Sequence, residues 1–358
     1  MDIGTHALAS LALSRAIFPR APKLLWALTI PAGVIADVDV FSTLISPSAH
    51  LTWHRTYTHS LLASLIIACI FGAAYRMWAS RELISRLPAR TVFVAVLLAQ
   101  WLHLAMDTAQ WQGVELFWPV NPARIAMDWL PTIDPWIVTI LVAAIVLPEF
   151  FHLIGAEIGA KDKRPRGFIG GIVGLIMVAS YIGLRADLHA TAVAQMQNRS
   201  YAGELPRQIA AFSDFVSLVT WHGVADTESA LHEVTVHINS SRRSSLDPGI
   251  NLFKPEANPL LQAAQATEAA KLFLRVARFP KATVQKMDTG SEVQIRDLRY
   301  ATAGEVKREP MVTVDFDPSG KIISAEIVWA SPEMARYIRS VGALFMRRVS
   351  VGMFGAQN

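Results

Sequence analysis

The chain has one cysteine, Cys69, among 358 residues. An intramolecular disulfide is thereby excluded, and so is a thiolate-based metal site. Charge is scarce as well: 17% of residues are Asp, Glu, Lys or Arg against 52% hydrophobic, and the mean hydropathy is +0.33. Soluble globular domains carry roughly 25% charged residues, so this composition places the chain among membrane proteins. The N-terminus lacks the basic stretch, apolar run and small-residue cleavage motif of a signal peptide, and insertion is expected to rely on the spans themselves. Internal repeats and low-complexity tracts are also missing.

What is there is a succession of long apolar runs. They lie at about 24–45, 60–78, 91–110, 133–153 and 168–184, each near the ~20 residues that a membrane helix needs. Residues 5–18 precede them as a short amphipathic or half-spanning helix, giving about five to six membrane helices. The first run contains Pro31, Gly33, Asp37 and Asp39. It reads as a span up to about Ala36 followed by a broken or re-entrant segment, which is tolerable only where protein or water covers the backbone.

The isoelectric point near 9.3 does not call for nucleic acid, because the basic residues of the first half gather in short connections, where they orient membrane proteins. Arg15, Arg20 and Lys23 form one cluster, Arg76, Arg81, Arg86 and Arg90 a second, and Lys161, Lys163, Arg164 and Arg166 a third. These connections are expected to be cytoplasmic. The alternate ones, about 37–59 and 111–132, hold only Arg55 and Arg124 and face outward. The last span then leads outward, so the expected division is a membrane-embedded domain over 1–184 and an extracytoplasmic, soluble α+β domain over 185–358. In that second part, residues 185–216 look helical, and 258–279 has a helical period. Four segments (SALHEVTVHI, the hairpin around ATVQKMDTG-SEVQIRDL, PMVTVDF and KIISAEIVW) alternate apolar and polar residues as half-buried antiparallel strands do. Asp317-Pro318-Ser319-Gly320 is a turn between the last two.

Chemistry concentrates in the first domain. His103 and Asp107 are four apart in an otherwise apolar helix, about 40° apart on one face at 3.6 residues per turn, and ionisable groups inside a span mark a functional site by default. Asp37 and Asp39, His54 and His59, and His6 all map to the same outward side under the charge-based topology. His6, Asp37, Asp39, His54, His59, His103 and Asp107 are therefore the candidate metal ligands. Imidazole and carboxylate donors without thiolate suit Zn²⁺ first, then Mn²⁺ or Fe²⁺. Seven candidates exceed one tetrahedral shell, so either two ions share a carboxylate or some of the seven are supporting groups and a general base. Whichever of Asp37 and Asp39 is not a ligand is the candidate base, and Arg55 is the candidate clamp for an anionic substrate. His50 is expected to face solvent. His222, His232 and His237 are expected to be structural, since strand residues five apart face opposite sides of a sheet.

The runs AGVIADVDV, HRTYTHSLL and HLAMDTAQWQGVELFWPV, preceded by THALASLAL, resemble a family described as membrane-bound metal-dependent hydrolases, also as LexA-binding, inner-membrane-associated hydrolases. The likeness covers about the first 155 residues. A His that often follows the double Asp in that family is Val40 here, and the Gly after His-Arg is Thr56. The order of Asp, His and His-x-x-x-Asp is also distantly similar to the zinc-dependent phospholipase C and P1 nuclease superfamily. That resemblance implies a first metal on Asp37 or Asp39, His59, His103 and Asp107, a second on His6 with Asp107 bridging, and phosphoester hydrolysis.

The expectation is thus a multi-pass protein of a cell inner membrane, its C-terminal domain facing the periplasm or exterior. It is expected to carry one or two divalent ions and to act on a phosphoester or lipid-linked substrate, with membrane lipids as partners and no nucleic acid. The competing readings are a transporter, which uses His and Asp as ion relays, and a non-catalytic membrane protein with a structural metal.

Overall fold

The computed structural model describes the chain apart from residues 82–86, 158–164, 166, 239–243, 256–257, 303–308 and 331–358. Arg86, Lys161, Lys163, Arg164 and Arg166, five of the basic residues used above for orientation, lie outside the described residues. The chain divides into two compact units, one of Met1–Ile45, Thr52–Thr191 and Phe212–Val219, the other of the described residues in Ser46–Leu51, Ala192–Ala211 and Thr220–Asn358. The division runs past Leu184 because the last membrane helix continues as one helix. Its Arg185, almost fully buried, donates to the carbonyls of Trp129, Asp214 and Ser217 and so belongs to the first unit.

The first unit is helical. It comprises α1 (Ile3–Ile17), α2 (Lys23–Val34), a 3₁₀ segment (Ile35–Leu44), then α4 (Leu61–Arg81), α5 (Ala89–Thr108), α6 (Pro135–Glu157) and most of α7 (Phe168–Gln197), while the short α3 (Pro47–Trp53) falls to the second unit up to Leu51. Five stretches among the described residues are long and apolar enough to cross a membrane: Lys23–Leu44, Leu61–Ala79, Ala89–Thr108, Pro135–Ile154 and Phe168–Gln197. Lipid tails are as apolar as leucine, so membrane helices associate through small residues that let backbones approach. Ala9 and Ala12 of α1, Ala32 of α2, Ala68 of α4 and Ala95 and Ala99 of α5 are buried accordingly. At Gly33 a Cβ would fall within 1.8 Å of Ser10 Oγ, so only glycine lets α2 lie this close to α1. Large apolar side chains instead cover the outside, including Leu62, Leu65, Ile66 and Ile70 of α4 and Phe150, Phe151 and Leu153 of α6. Near the opposite end of α1 from His6, Arg15 forms an ion pair with Glu149 of α6 at 3.1 Å.

The second unit holds two four-stranded antiparallel sheets, each in meander order. One contains β1 (Gln208–Ser213), β2 (Thr220–Asp226), β3 (Ala230–Ile238) and β4 (Ser244–Phe253). The other contains β5 (Pro280–Met287), β6 (Gly290–Asp297), β7 (Glu309–Phe316) and β8 (Ile322–Ala330), with α8 (Pro259–Gln265) and α9 (Glu268–Val276) before it and the short α10 (Leu298–Thr302) after β6. Leu261, Ala264, Ala270 and Phe273 of the two helices close a core with Val293, Ile295, Val312, Val314 and Phe316. The turn at 317–320 is formed, with Gly320 N–H donating to Asp317 O at 3.0 Å and Gly320 at φ +85°, where a missing Cβ removes the steric penalty.

The architecture is therefore a membrane helical domain followed by a small α+β domain. The helix expected over 185–216 is a correction: α7 stops at Gln197, and β1 follows after Gly203 and Pro206. Both residues break a helix, and the six residues of β1 are too short for alternation to declare them. His232 has both ring nitrogens satisfied, by Asn251 at 2.8 Å and Thr227 at 3.2 Å. His50 does not stand free in solvent, since its ring lies 5.3 Å from that of Trp329.

Candidate metal centre

The 3₁₀ segment decides how the two aspartates are used. Three residues per turn set positions two apart at about 240°, so Asp37 and Asp39 point to different sides. Asp37 meets α5: its Oδ1 is 3.6 Å from His103 Nε2 and 3.4 Å from His59 Nε2. Asp107, one turn beyond His103, brings Oδ2 to 3.6 Å from His103 Nε2 and 3.3 Å from His59 Nε2. Its Oδ1 accepts from His6 Nε2 at 3.1 Å and from the Met1 amino nitrogen. His6 and His103 stack with ring centroids 3.7 Å apart.

Two imidazoles are aimed by fixed hydrogen bonds. His103 Nδ1 donates to Gly33 O at 2.8 Å. That carbonyl lies where the α-helical pattern of α2 gives way to the 3₁₀ segment, and carbonyls at helix ends lack intrahelical partners. Gln100, one turn earlier on α5, donates likewise to Ala32 O. His59 Nδ1 donates to Asp39 Oδ2 at 2.9 Å. Because a carbonyl or carboxylate only accepts, both rings carry their proton on Nδ1 and present the Nε2 lone pair to the aspartates.

The structure thus brings together His6, Asp37, His59, His103 and Asp107, all with side chains almost fully buried. His6, Asp37, His103 and Asp107 offer donor atoms within 4.8 Å of one another; His59 makes a second set that shares Asp37 and Asp107 with the first, its Nε2 lying 3.4 and 3.3 Å from them. Asp39 and His54 are not brought to this point. They sit on the far side of His59, where His54 Nδ1 donates to Asp39 Oδ1 at 2.7 Å. Arg55 is buried, at φ +62°, and donates from Nη2 to Gln110 Oε1 at 2.8 Å while lying 3.7 Å from Asp107 Oδ1. Gln110, Thr58 and the Gly33 carbonyl went unread in the sequence. Gln110 gave a signal, three residues beyond Asp107 at the end of an apolar helix; a backbone carbonyl gives none.

Burial holds the His54 imidazole at about 4, below its ordinary value, with the Asp39 carboxylate offsetting only part of the effect. A folded-state value below the unfolded one means that the stabilisation is complete above roughly pH 6.5 and is lost as pH falls through about 4. Thermal unfolding of the full-length protein is expected to shift down across that window, and His54→Gln to flatten part of the shift. Identical pH profiles for the two proteins would refute this.

His59 Nε2, His103 Nε2, Asp37 Oδ2 and Asp107 Oδ2 are buried with no hydrogen-bond partner, although buried polar groups are nearly always satisfied.

Residues 1–188 match the model of a family described as "YdjM inner membrane protein". The chain is also similar to "Uncharacterized protein YfhP" of Bacillus subtilis (strain 168), with 21% identity over 332 residues covering 88% of this chain and 92% of that one. No solved structure matches. Neither description states an activity. With five membrane-length helical stretches among the described residues and a family match over more than half its length, the chain is a multi-pass inner-membrane protein and belongs to the YdjM inner membrane protein family.

Proposed function

We propose that the buried cluster holds one divalent transition metal, with zinc the first choice, and that the protein is a metal-dependent hydrolase of phosphoester or lipid-linked substrates at the non-cytoplasmic face of the membrane. One observation carries the metal: the four imidazole–carboxylate separations among His59 Nε2, His103 Nε2, Asp37 Oδ1 and Asp107 Oδ2, four of the six edges that these atoms define, are 3.3, 3.4, 3.6 and 3.6 Å. Ligands about 2.0–2.1 Å from a tetrahedral ion lie about 3.3–3.4 Å apart, so the donors stand close to the edges of such a shell. His59 Nε2, His103 Nε2 and Asp107 Oδ2, three of the four atoms of that set, are buried without a hydrogen-bond partner, which fits the same reading.

When bound, such an ion would lower the pKa of a water and polarise a substrate oxygen taken up at a fifth position beside the four protein donors. The chain's own residues do the rest. Asp37, Asp107, His59 and His103 hold the centre, and Asp107 Oδ1 keeps His6 against it. Arg55, on the same side of Asp107, binds anionic oxygens of the substrate through a planar guanidinium suited to them. Both oxygens of Asp39 are occupied by donors, so the proton-accepting role passes from Asp39 to His6, whose Nδ1 is buried without a hydrogen-bond partner.

The outward placement rests on charge: Arg55 and Arg124 are the only basic residues of the connections around the site, whereas Arg15, Arg20 and Lys23 gather at the other end of α1. In a Cys69→Ser background, Arg20→Cys and Ser319→Cys should label from opposite sides of the membrane; labelling from one side would overturn this topology. For the chemistry, protein purified in micelles, stripped with chelator and reloaded with Zn²⁺, should hydrolyse a chromogenic phosphodiester, and His103→Ala should not. Wild-type protein without a stoichiometric transition metal would sink the metal reading. A loaded protein inert towards phosphoesters would sink only the hydrolytic one.

A further inference from the structure

Asp39 collects donors from one short segment. Its Oδ1 accepts His54 Nδ1–H at 2.7 Å, and its Oδ2 accepts the Arg55 backbone N–H at 2.9 Å, the Thr58 hydroxyl at 2.7 Å and His59 Nδ1–H at 2.9 Å. All four belong to the six residues 54–59. The carboxylate is 5% exposed, and a buried anion persists only when donors compensate its lost hydration. Here four donors face a carboxylate with about four acceptor sites, and both oxygens are engaged by residues 54–59, not by the cluster around Asp107.

Two of these bonds act on the site. The one to His59 fixes the proton on Nδ1, so that Nε2 is the nitrogen offered to Asp37 and Asp107. A carboxylate behind a metal-ligating imidazole orients the ring and raises its basicity. The one to Arg55 N–H holds a residue at φ +62°, a left-handed conformation that side chains other than glycine adopt rarely. That turn sends the guanidinium inward, to Gln110 and towards Asp107. Asp37, only two residues away, has no such set of donors; its Oδ2 is buried without a hydrogen-bond partner.

We infer that Asp39 is a positioning residue and not a ligand: one negative charge, set behind the cluster, holds His59 in its metal-binding tautomer and Arg55 in its inward turn. The inference rests on the metal reading for its consequence, but its geometry can be tested with no metal present.

Wild type, Asp39→Asn and Asp37→Asn of the full-length protein, in micelles and stripped of metal, are titrated with Co²⁺ followed by visible absorption. Asp39→Asn is expected to reach one equivalent with the four-coordinate spectrum of wild type, at an affinity about 10–100-fold lower. Asp37→Asn is expected to lose that spectrum. Wild-type affinity in Asp39→Asn would overturn the inference, and so would loss of the four-coordinate spectrum in a folded Asp39→Asn, which would make Asp39 a ligand. The second measurement needs no metal and is read on wild type, with a variant used for assignment alone. In ¹⁵N-histidine-labelled, metal-free wild type, with the signal assigned through His59→Gln, His59 should be protonated on Nδ1 and bare on Nε2; the opposite tautomer overturns the inference. Wild type that binds no Co²⁺ yet shows this tautomer would remove the metal reading and leave the positioning role standing.

Discussion

Asp107→Ala in the full-length protein is expected to retain less than about a tenth of wild-type zinc after purification, and to unfold at a markedly lower temperature. Asp107 is shared by both overlapping donor sets: Oδ2 faces His59 and His103, and Oδ1 faces His6, the Met1 amino nitrogen and, at 3.7 Å, Arg55. Removing it opens two of the four short separations of the tetrad at once. It also takes the nearest carboxylate from a guanidinium that is 3% exposed, and removing one partner of a buried charge pair costs about 3–5 kcal/mol. Asp107→Asn separates the two effects, since the amide keeps the volume and loses the charge: metal should fall nearly as far while the fold is less disturbed. Metal content by elemental analysis together with thermal unfolding reads both. Near-wild-type zinc in a folded Asp107→Ala would mean that the cluster is not the metal site.

In the second unit the largest effect is expected at Asp297, at the end of β6. Its carboxylate is 1% exposed and accepts from the backbone N–H groups of Arg278, Phe279 and Arg299 at 3.0, 3.3 and 3.1 Å and from Arg299 Nε at 2.7 Å. Arg299 in turn donates to Val276 O at 2.7 Å, so one acid ties the end of α9, the start of β5 and α10 to one another. Asp297→Ala takes this acceptor from two buried amides, one half-buried amide and a buried guanidinium, a loss of about 3–5 kcal/mol, large against the ~5–15 kcal/mol that holds a typical domain. Pulse proteolysis of the full-length protein in urea should show the described strands β5–β8 becoming cleavable at lower denaturant. A loss under about 1 kcal/mol would show that backbone water replaces the carboxylate and that the knot is dispensable.

Much of this was legible in the residues. The membrane helices follow from run length, because a bilayer imposes a single apolar length on any helix that crosses it. The pairing of His103 with Asp107 follows from helical period, and the hairpin β5–β6 and strands β7 and β8 from alternation around clear turns. Strands β1, β2 and β4 escaped notice: TWHGVAD places His and Gly inside a strand, and SSLDPGINLF carries a Pro-Gly that reads as a turn. Local pattern contradicts strand in both, and pairing with β3 overrides it. Tertiary context commonly dominates β-propensity in this way.

The sequence by itself determined that this chain lives in a membrane, that its second part is an α+β unit, and that seven histidines and aspartates of the first part gather towards one end of the helices. These are consequences of composition and period, which act through the nearest few residues. Only the tertiary structure decided which of them meet. Asp37 and Asp39 are equivalent as letters, and they separate because a 3₁₀ segment turns one towards α5 and the other towards residues 54–59. His54 and His59 are likewise similar on paper, yet one ring reaches Asp107 and the other stops at Asp39. Distances of three to four ångströms between side chains from helices far apart in sequence depend on how those helices pack, and no local pattern encodes that.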